Sequence, residues 1–279
     1  MANIIEVEDL YFRYRDGTEA LRGLSLSIQK GSRVAVLGPN GAGKSTLLLH
    51  LNGIYLPARG KVRVLGREIT VKTERWVKSR VGLVFQDPDD QVFSSSVWED
   101  VSFGPLNMNL SAGEVRARVE KALRSVQVEE YKNKAPYHLS YGQKKRVAIA
   151  GVLAMEPEII VLDEPMGYLD PQGKDNLLAI LNELHRRDIT IVIATHDVDL
   201  AAEWADRVII IKNGRTLAEG DTSLLADEGL VRAADLRFPV VVEIFRRLPE
   251  LNLTSLPKTI AEAVDVIKSL GKNAGVSSA

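Results

Sequence analysis

The chain contains no cysteine. That excludes a disulfide framework and a thiolate metal site, and it fits a reducing compartment. Long apolar runs are also missing. The longest, such as "EIIVLDE" and "RVIIIK", have strand length, far short of the roughly 18 to 20 apolar residues of a membrane span. Any membrane role is therefore expected to come through a partner. Neither sign of charge dominates: 36 Lys and Arg face 37 Asp and Glu, for a formal net charge of -1. Nucleic-acid binders usually carry a basic domain, so no nucleic-acid partner is expected. The first residues, "MANIIEVEDL", lack the charged-then-apolar order of a secretion signal. There is no internal repeat, no low-complexity tract and no His/Asp cluster with metal-ligand spacing. His50, His138 and His185 stand apart and read as structural.

What is present is an alternation of strands and helices over 279 residues, enough for a substantial core. "IIEVEDLYFRY" and "LRGLSLSIQ" alternate apolar and polar residues around a turn at Asp16-Gly17. "SRVAVLG" is a continuous apolar run of the buried-strand kind, and "KSTLLLHLNG" is a helix that stops at Gly53. "GKVRVLGREI" reads as an edge strand pair, and "SRVGLVFQ", residues 79–86, as another buried strand. Residues 99–155 change character. "SAGEVRARVEKALRSV" opens on a capping box, Ser111 with Glu114, and places Val115, Val119, Ala122, Leu123 and Val126 on one face. This block reads as a mostly helical subdomain inserted into an α/β core. After it come the strand "EIIVLDE", a helix over 173–187, the strand "ITIVIATH", the helix "VDLAAEWA" and a hairpin turning at Asn213-Gly214. The pattern predicts a parallel sheet covered on both faces. Residues 1–222 form the main domain and 223–279 a helical extension, whose end "NAGVSSA" is expected to be disordered.

The chemistry concentrates at a few points. "GPNGAGKST" fits G-x-x-x-x-G-K-S/T between a strand and a helix. Such a glycine-rich turn points backbone N–H groups and the positive end of a helix at a phosphate. Lys44 supplies charge to the β- and γ-phosphates, and Ser45 a hydroxyl for Mg2+. "EIIVLDEP" ends a buried strand on Asp163 and Glu164: the first can hold Mg2+ through water, the second can take a proton from water. Gln86 and His196 end two more strands at the same sheet edge. The bland readings are a glycine turn, a solvated acidic turn and structural polar ends. "LSYGQ" has its own: Ser140 and Gln143 make a capping box. A capping box explains neither Gly142 nor an anion-seeking helix end so far from the cradle. A second copy of the chain, placed head to tail, would bring that end onto the first copy's phosphate.

The order "GPNGAGKST", Gln86, "LSYGQ", "IIVLDEP", "LD" and His196 resembles the nucleotide-binding subunit of ABC transporters over residues 4–222. The resemblance implies a P-loop NTPase (RecA-like) mixed sheet core with an N-terminal antiparallel β part, hydrolysing ATP with Mg2+. Gly38, Pro39, Asn40, Gly41, Ala42, Gly43, Lys44, Ser45 and Thr46 then look like the Walker A loop. Gln86 looks like the Q-loop glutamine, a Mg2+ contact beside Ser45 and Asp163. Ser140, Gly142 and Gln143 look like signature residues that meet the ATP of a second ATPase, a copy of this chain or a paralogue. Asp163 looks like the Walker B aspartate, Glu164 like the catalytic base, Asp170 like the D-loop aspartate and His196 like the γ-phosphate switch. Tyr14 looks like the adenine-stacking aromatic, with Tyr11 and Phe12 as substitutes. Two departures stand out. Tyr141 replaces the first glycine of LSGGQ, and Met166 and Tyr168 add bulk where two copies should meet.

"QDPDDQVFSSSVWEDVSFGP", residues 86–105, is similar to the stretch after the Q-loop in energy-coupling factor importers. That implies an integral membrane subunit docking there and a small membrane substrate-binding subunit, with the chain at the cytoplasmic face of the membrane. An acidic patch predicts a basic partner surface. "LSYGQKKRVAIAGVLAMEP" looks most like the ATPase of cobalt importers, with nickel and vitamin importers as alternatives. Two other classes remain: a soluble ABC ATPase acting on nucleic acid or ribosomes, and a module that binds ATP without cleaving it. The absence of heptads and of a second cassette speaks against the first. Glu164 and His196 speak against the second.

Overall fold

The computed structural model describes residues 2–275, with side-chain surroundings as far as residue 271. Strands β1 (Asn3–Arg13) and β2 (Glu19–Gln29) form an antiparallel hairpin. Its turn is closed by Tyr14 N–H on the Thr18 carbonyl at 2.9 Å. Then come β3 (Arg33–Leu37), α1 (Lys44–Leu51), β4 (Arg59–Val64) and β5 (Arg67–Glu68). The first sheet runs β2-β1-β4-β5. The expected edge pair is thus half right: β5 is the edge, while β4 is flanked by β1 and β5.

Helix α2 (Glu74–Arg80) leads into β6 (Val81–Val84). Residues 79–80, expected in the strand, end that helix. The inserted block holds α3 (Val97–Asn107), α4 (Ala112–Ser125) and α5 (Tyr141–Leu153). Ser111 and Glu114 cap α4 reciprocally, and Val115, Val119, Ala122, Leu123 and Val126 are all buried. The core resumes with β7 (Ile159–Asp163), α6 (Pro171–Arg186), β8 (Thr190–Thr195), α7 (Val198–Trp204), β9 (Arg207–Lys212) and β10 (Arg215–Gly220). Asn213 and Gly214 both have positive φ, 51° and 73°, as the tight turn between β9 and β10 requires.

The second sheet runs β10-β9-β3-β8-β7-β6, all parallel but for β10. Apart from the edge strand β10, its strands are apolar on both faces because both are covered. On β8, Ile191 and Ile193 join the core under the helices, while Val192 and Ala194 join the core shared with α1 and the first sheet. This arrangement sets the C-terminal ends of β3, β6, β7 and β8 along one edge, where ligands of open α/β sheets bind.

The C-terminal part holds α8 (Glu228–Ala233), α9 (Val240–Arg246) and α10 (Ile260–Gly275). It is tied to α7: Asp199 accepts from Val240 N–H at 2.6 Å, and Glu203 from Ile260 N–H at 2.6 Å. Helix α10 extends through Gly275, so the first residues of "NAGVSSA" are helical; residues 276–279 lie outside the described residues. Among the described residues, no helix is long and apolar enough to cross a membrane.

Candidate functional site

The cradle is built by the passage from β3 to α1. Gly43, immediately before α1, has φ 105°, and no side chain caps the helix, so its first N–H groups point outward. Gly38 sits where a Cβ would lie 2.2 Å from the Ile211 carbonyl, a close approach only glycine permits. Lys44 is 6% exposed and donates from Nζ to the carbonyls of Gly38 at 2.7 Å and Pro39 at 3.2 Å. Burial lowers its pKa, against the opposing pull of Glu164 and Asp163. The loop is thus folded around a buried ammonium.

Tyr14, residues 40–46, Gln86, Asp163, Glu164 and His196 all line one cavity of about 540 Å³. The Tyr14 hydroxyl lies 2.8 Å from Thr46 Oγ1. Of the three candidate aromatics, Tyr14 lines this cavity. Phe12 packs beneath it against Tyr55 and His50, and Tyr11 lies under Arg59. Asp163 Oδ1 is buried without a hydrogen-bond partner. Burial raises the pKa of its carboxyl, while a hydrogen bond from Ser45 opposes the shift. An orphaned carboxylate oxygen beside the Ser45 hydroxyl suits a hard divalent cation held chiefly by phosphate oxygens. Among the described residues there is no cluster of three or more His, Cys, Asp or Glu to hold an ion alone.

Glu164 has φ 40°, unusual for a side chain of its size, and stands just past β7. Its Oε1 accepts from His196 Nδ1 at 2.8 Å and its Oε2 from Thr195 Oγ1 at 3.0 Å. Thr195, missed in the sequence, sits inside an apolar run and gives no pattern there. Gln86 lies two residues beyond the end of β6 rather than in the strand, and is exposed.

Ser140, Gly142, Gln143 and Asp170 line a different cavity of about 220 Å³, and no residue lines both. The bland capping reading holds in geometry. Ser140 N–H donates to Gln143 Oε1 at 2.9 Å, Gln143 N–H to Ser140 Oγ at 3.3 Å, and Asp170 accepts from Gly173 N–H at 2.8 Å. Gly142 remains unexplained by the chain itself. A Cβ there would make only an ordinary 3.5 Å contact with Leu169.

The two departures touch each other: the rings of Tyr141 and Tyr168 meet edge to face at 5.5 Å. The expected acidic patch is partly spent within the chain. Asp89 pairs with Lys144 at 2.6 Å, and Asp87 accepts from Asp89 N–H. Beside it opens the largest cavity described, about 870 Å³, lined by Phe93, Phe103, Trp76 and Met155 as well as Asp100, Arg75 and Lys78.

A glycine cradle between a parallel strand and a helix, a buried lysine, and a carboxylate pair closing the neighbouring strand define a P-loop nucleoside triphosphatase. The sequence profile of ABC transporters matches residues 21–167. The energy-coupling factor transporter ATP-binding protein EcfA of Carboxydothermus hydrogenoformans is 48% identical over 264 residues, covering 95% of this chain and 97% of its own. The solved structure of cbiO1 from Clostridium perfringens, part of the ABC transporter complex cbiONQ, is 42% identical with a TM-score of 0.74 and covers 88% of this chain and 100% of its own. The ATP-binding cassette MJ0796, solved as a post-hydrolysis dimer bound to ADP and Pi, is 28% identical with a TM-score of 0.71 and covers 78% of this chain and 98% of its own. The chain belongs to the ABC transporter family and is one of its ATPases.

Proposed function

We propose that the chain is the motor subunit of an energy-coupling factor importer, closing head to tail on a second ATPase copy around two ATP molecules. The observation that carries this reading is the separation of two half-sites. The cradle cavity holds the Walker residues, and Ser140, Gly142 and Asp170 line another. One chain therefore offers each nucleotide only half of its contacts, and a two-fold pair supplies both halves twice. The dimeric cassette and the EcfA-named relative support it. In this reading residues 1–222 are the ATPase domain, with its helical subdomain at 99–155, and 223–279 its extension.

Tyr14 stacks on adenine, residues 38–46 wrap the phosphates and Lys44 neutralises them. Ser45, Asp163 and Gln86 would hold Mg2+, which when bound would neutralise phosphate charge. Glu164 takes a proton from the attacking water, and Thr195 and His196 hold its carboxylate at the strand end until the γ-phosphate arrives. The membrane subunit docks in the 870 Å³ groove, whose exposed Phe93 and Phe103 rings lie 5.3 Å apart. The chain then works at the cytoplasmic face of the membrane, with a small membrane subunit binding the substrate. Cobalt is the proposed cargo, from the signature stretch that resembles cobalt importers.

The test is extraction of the tagged chain from its own membranes in mild detergent, with elemental analysis of what accompanies it. An integral membrane subunit and a cobalt-carrying small membrane protein are expected. Nickel or a vitamin in that small subunit would replace the cargo alone, whereas nucleic acid or ribosomal proteins without any membrane subunit would overturn the importer.

A further inference from the structure

Lys145 is 1% exposed. An ammonium taken out of water is costly unless its hydrogens find acceptors. Its Nζ donates to the Phe85 carbonyl at 3.1 Å and, at closer range, to the Gln86 carbonyl. The Gln86 carbonyl accepts a second bond from the Tyr141 hydroxyl at 3.0 Å. Tyr141 and Lys145 are four residues apart on α5, hence on one face of the helix, and the ammonium lies 5.9 Å from the Tyr141 ring centroid. Strand β6 has already ended at Val84, so no sheet ladder holds these two carbonyls. The signature helix holds them instead.

The same ring reaches a third segment. Tyr141 meets Tyr168 edge to face, and Tyr168 is 82% exposed, has φ 59° and lines the cradle cavity. A bulky residue in the left-handed region is uncommon, and it marks a position set by its surroundings. Tyr141 thus joins the start of α5, the Gln86 main chain and the turn that follows Glu164.

We propose that Tyr141 and Lys145 are positioning residues that fasten the Gln86 backbone to the signature helix, so that within one chain the signature sets where Gln86 stands at the nucleotide. The tyrosine that replaces the signature glycine is then part of the device. Neither residue touches nucleotide; both act through Gln86. The inference rests on the proposed reading of Gln86 as a Mg2+ contact.

The experiment uses the full chain in a Glu164→Gln background, so that nucleotide is not consumed. Binding of a fluorescent ATP analogue is measured without metal and across a magnesium titration, for the parent, Tyr141→Phe and Lys145→Met. Metal-free affinity is expected to stay at the parent value. The magnesium concentration needed for tight binding is expected to rise about fivefold, the net worth of one hydrogen bond. Tyr141→Phe removes a single oxygen, so it decides the matter even if Lys145→Met does not fold. An unchanged magnesium requirement, or an equal loss of affinity with and without metal, overturns the proposal. A parent that binds no nucleotide under either condition removes the nucleotide-site reading instead.

Discussion

At the scale of single residues, buried polar groups define the site and the packing beneath it. Lys44 is buried and held by two loop carbonyls, with Glu164 and Asp163 opposing the effect of its burial. Lys44→Ala should weaken ATP binding by roughly ten- to a hundredfold, the range for losing charge-assisted bonds, with little change in melting temperature. Unchanged ATP affinity would refute the cradle assignment. His50 tests the packing beneath the site. It is fully buried, its Nδ1 donates to the Thr46 carbonyl at 2.7 Å, and burial holds its pKa below the ordinary imidazole value. As pH falls, the unfolded chain protonates this ring before the folded one does. Stability should therefore be lost with falling pH below the ordinary imidazole range, and above that range the ring adds no pH dependence. His50→Phe should flatten the decline in urea-unfolding stability between about pH 7 and about pH 5; an equally steep decline would show that His50 is not its source. Candidates such as Lys44 and Asp163 were legible because phosphate and metal chemistry fixes residue type and local spacing. Thr195 and the Tyr141–Tyr168 contact were not, because their partners lie far away in the sequence.

At the scale of elements, local rules carried most of the fold. Capping boxes located the starts of α4 and α5, and continuous apolar runs located the parallel strands. Short elements escaped. Helix α2 has seven residues, only one of them buried, so it shows no apolar stripe and its end merged with β6 in the sequence reading. Gln86 reads as part of the strand because apolarity continues one residue past its last ladder residue, to Phe85. The seam between β6 and α5 is tight. A Cβ on Gly82 would lie 2.1 Å from Val152 Cγ1, a side chain of α5. Gly82→Ala should therefore destabilise the fold by about 1 to 3 kcal/mol through overpacking, read as a lower urea midpoint. No loss would mean that α5 is free to shift off the sheet.

At the scale of the whole molecule, three surfaces stand apart. The cradle cavity and the signature cavity are separate, and the apolar groove between α2 and the inserted helices is a third surface. Phe103 is 52% exposed in that groove. Phe103→Asp should abolish recovery of the membrane subunit with the tagged chain while ATP binding by the purified chain persists. Undiminished recovery would move the docking site elsewhere. Surfaces of this kind are not legible from local pattern, because cavity walls gather residues from distant parts of the chain. The sequence reading overstated the free acidic charge there, since the pairing of Asp89 with Lys144 needs the fold to be seen.

The central claim is that two copies complete one another's nucleotide sites, and Glu164→Gln tests it most directly. Light scattering after size exclusion would be run with and without ATP, with bound nucleotide quantified. The account predicts dimers in ATP carrying one nucleotide per chain, monomers without ATP, and monomers with ATP still bound once Ser140→Arg is added. A Glu164→Gln chain that stays monomeric when saturated with ATP, or that hydrolyses it at the wild-type rate, would contradict it.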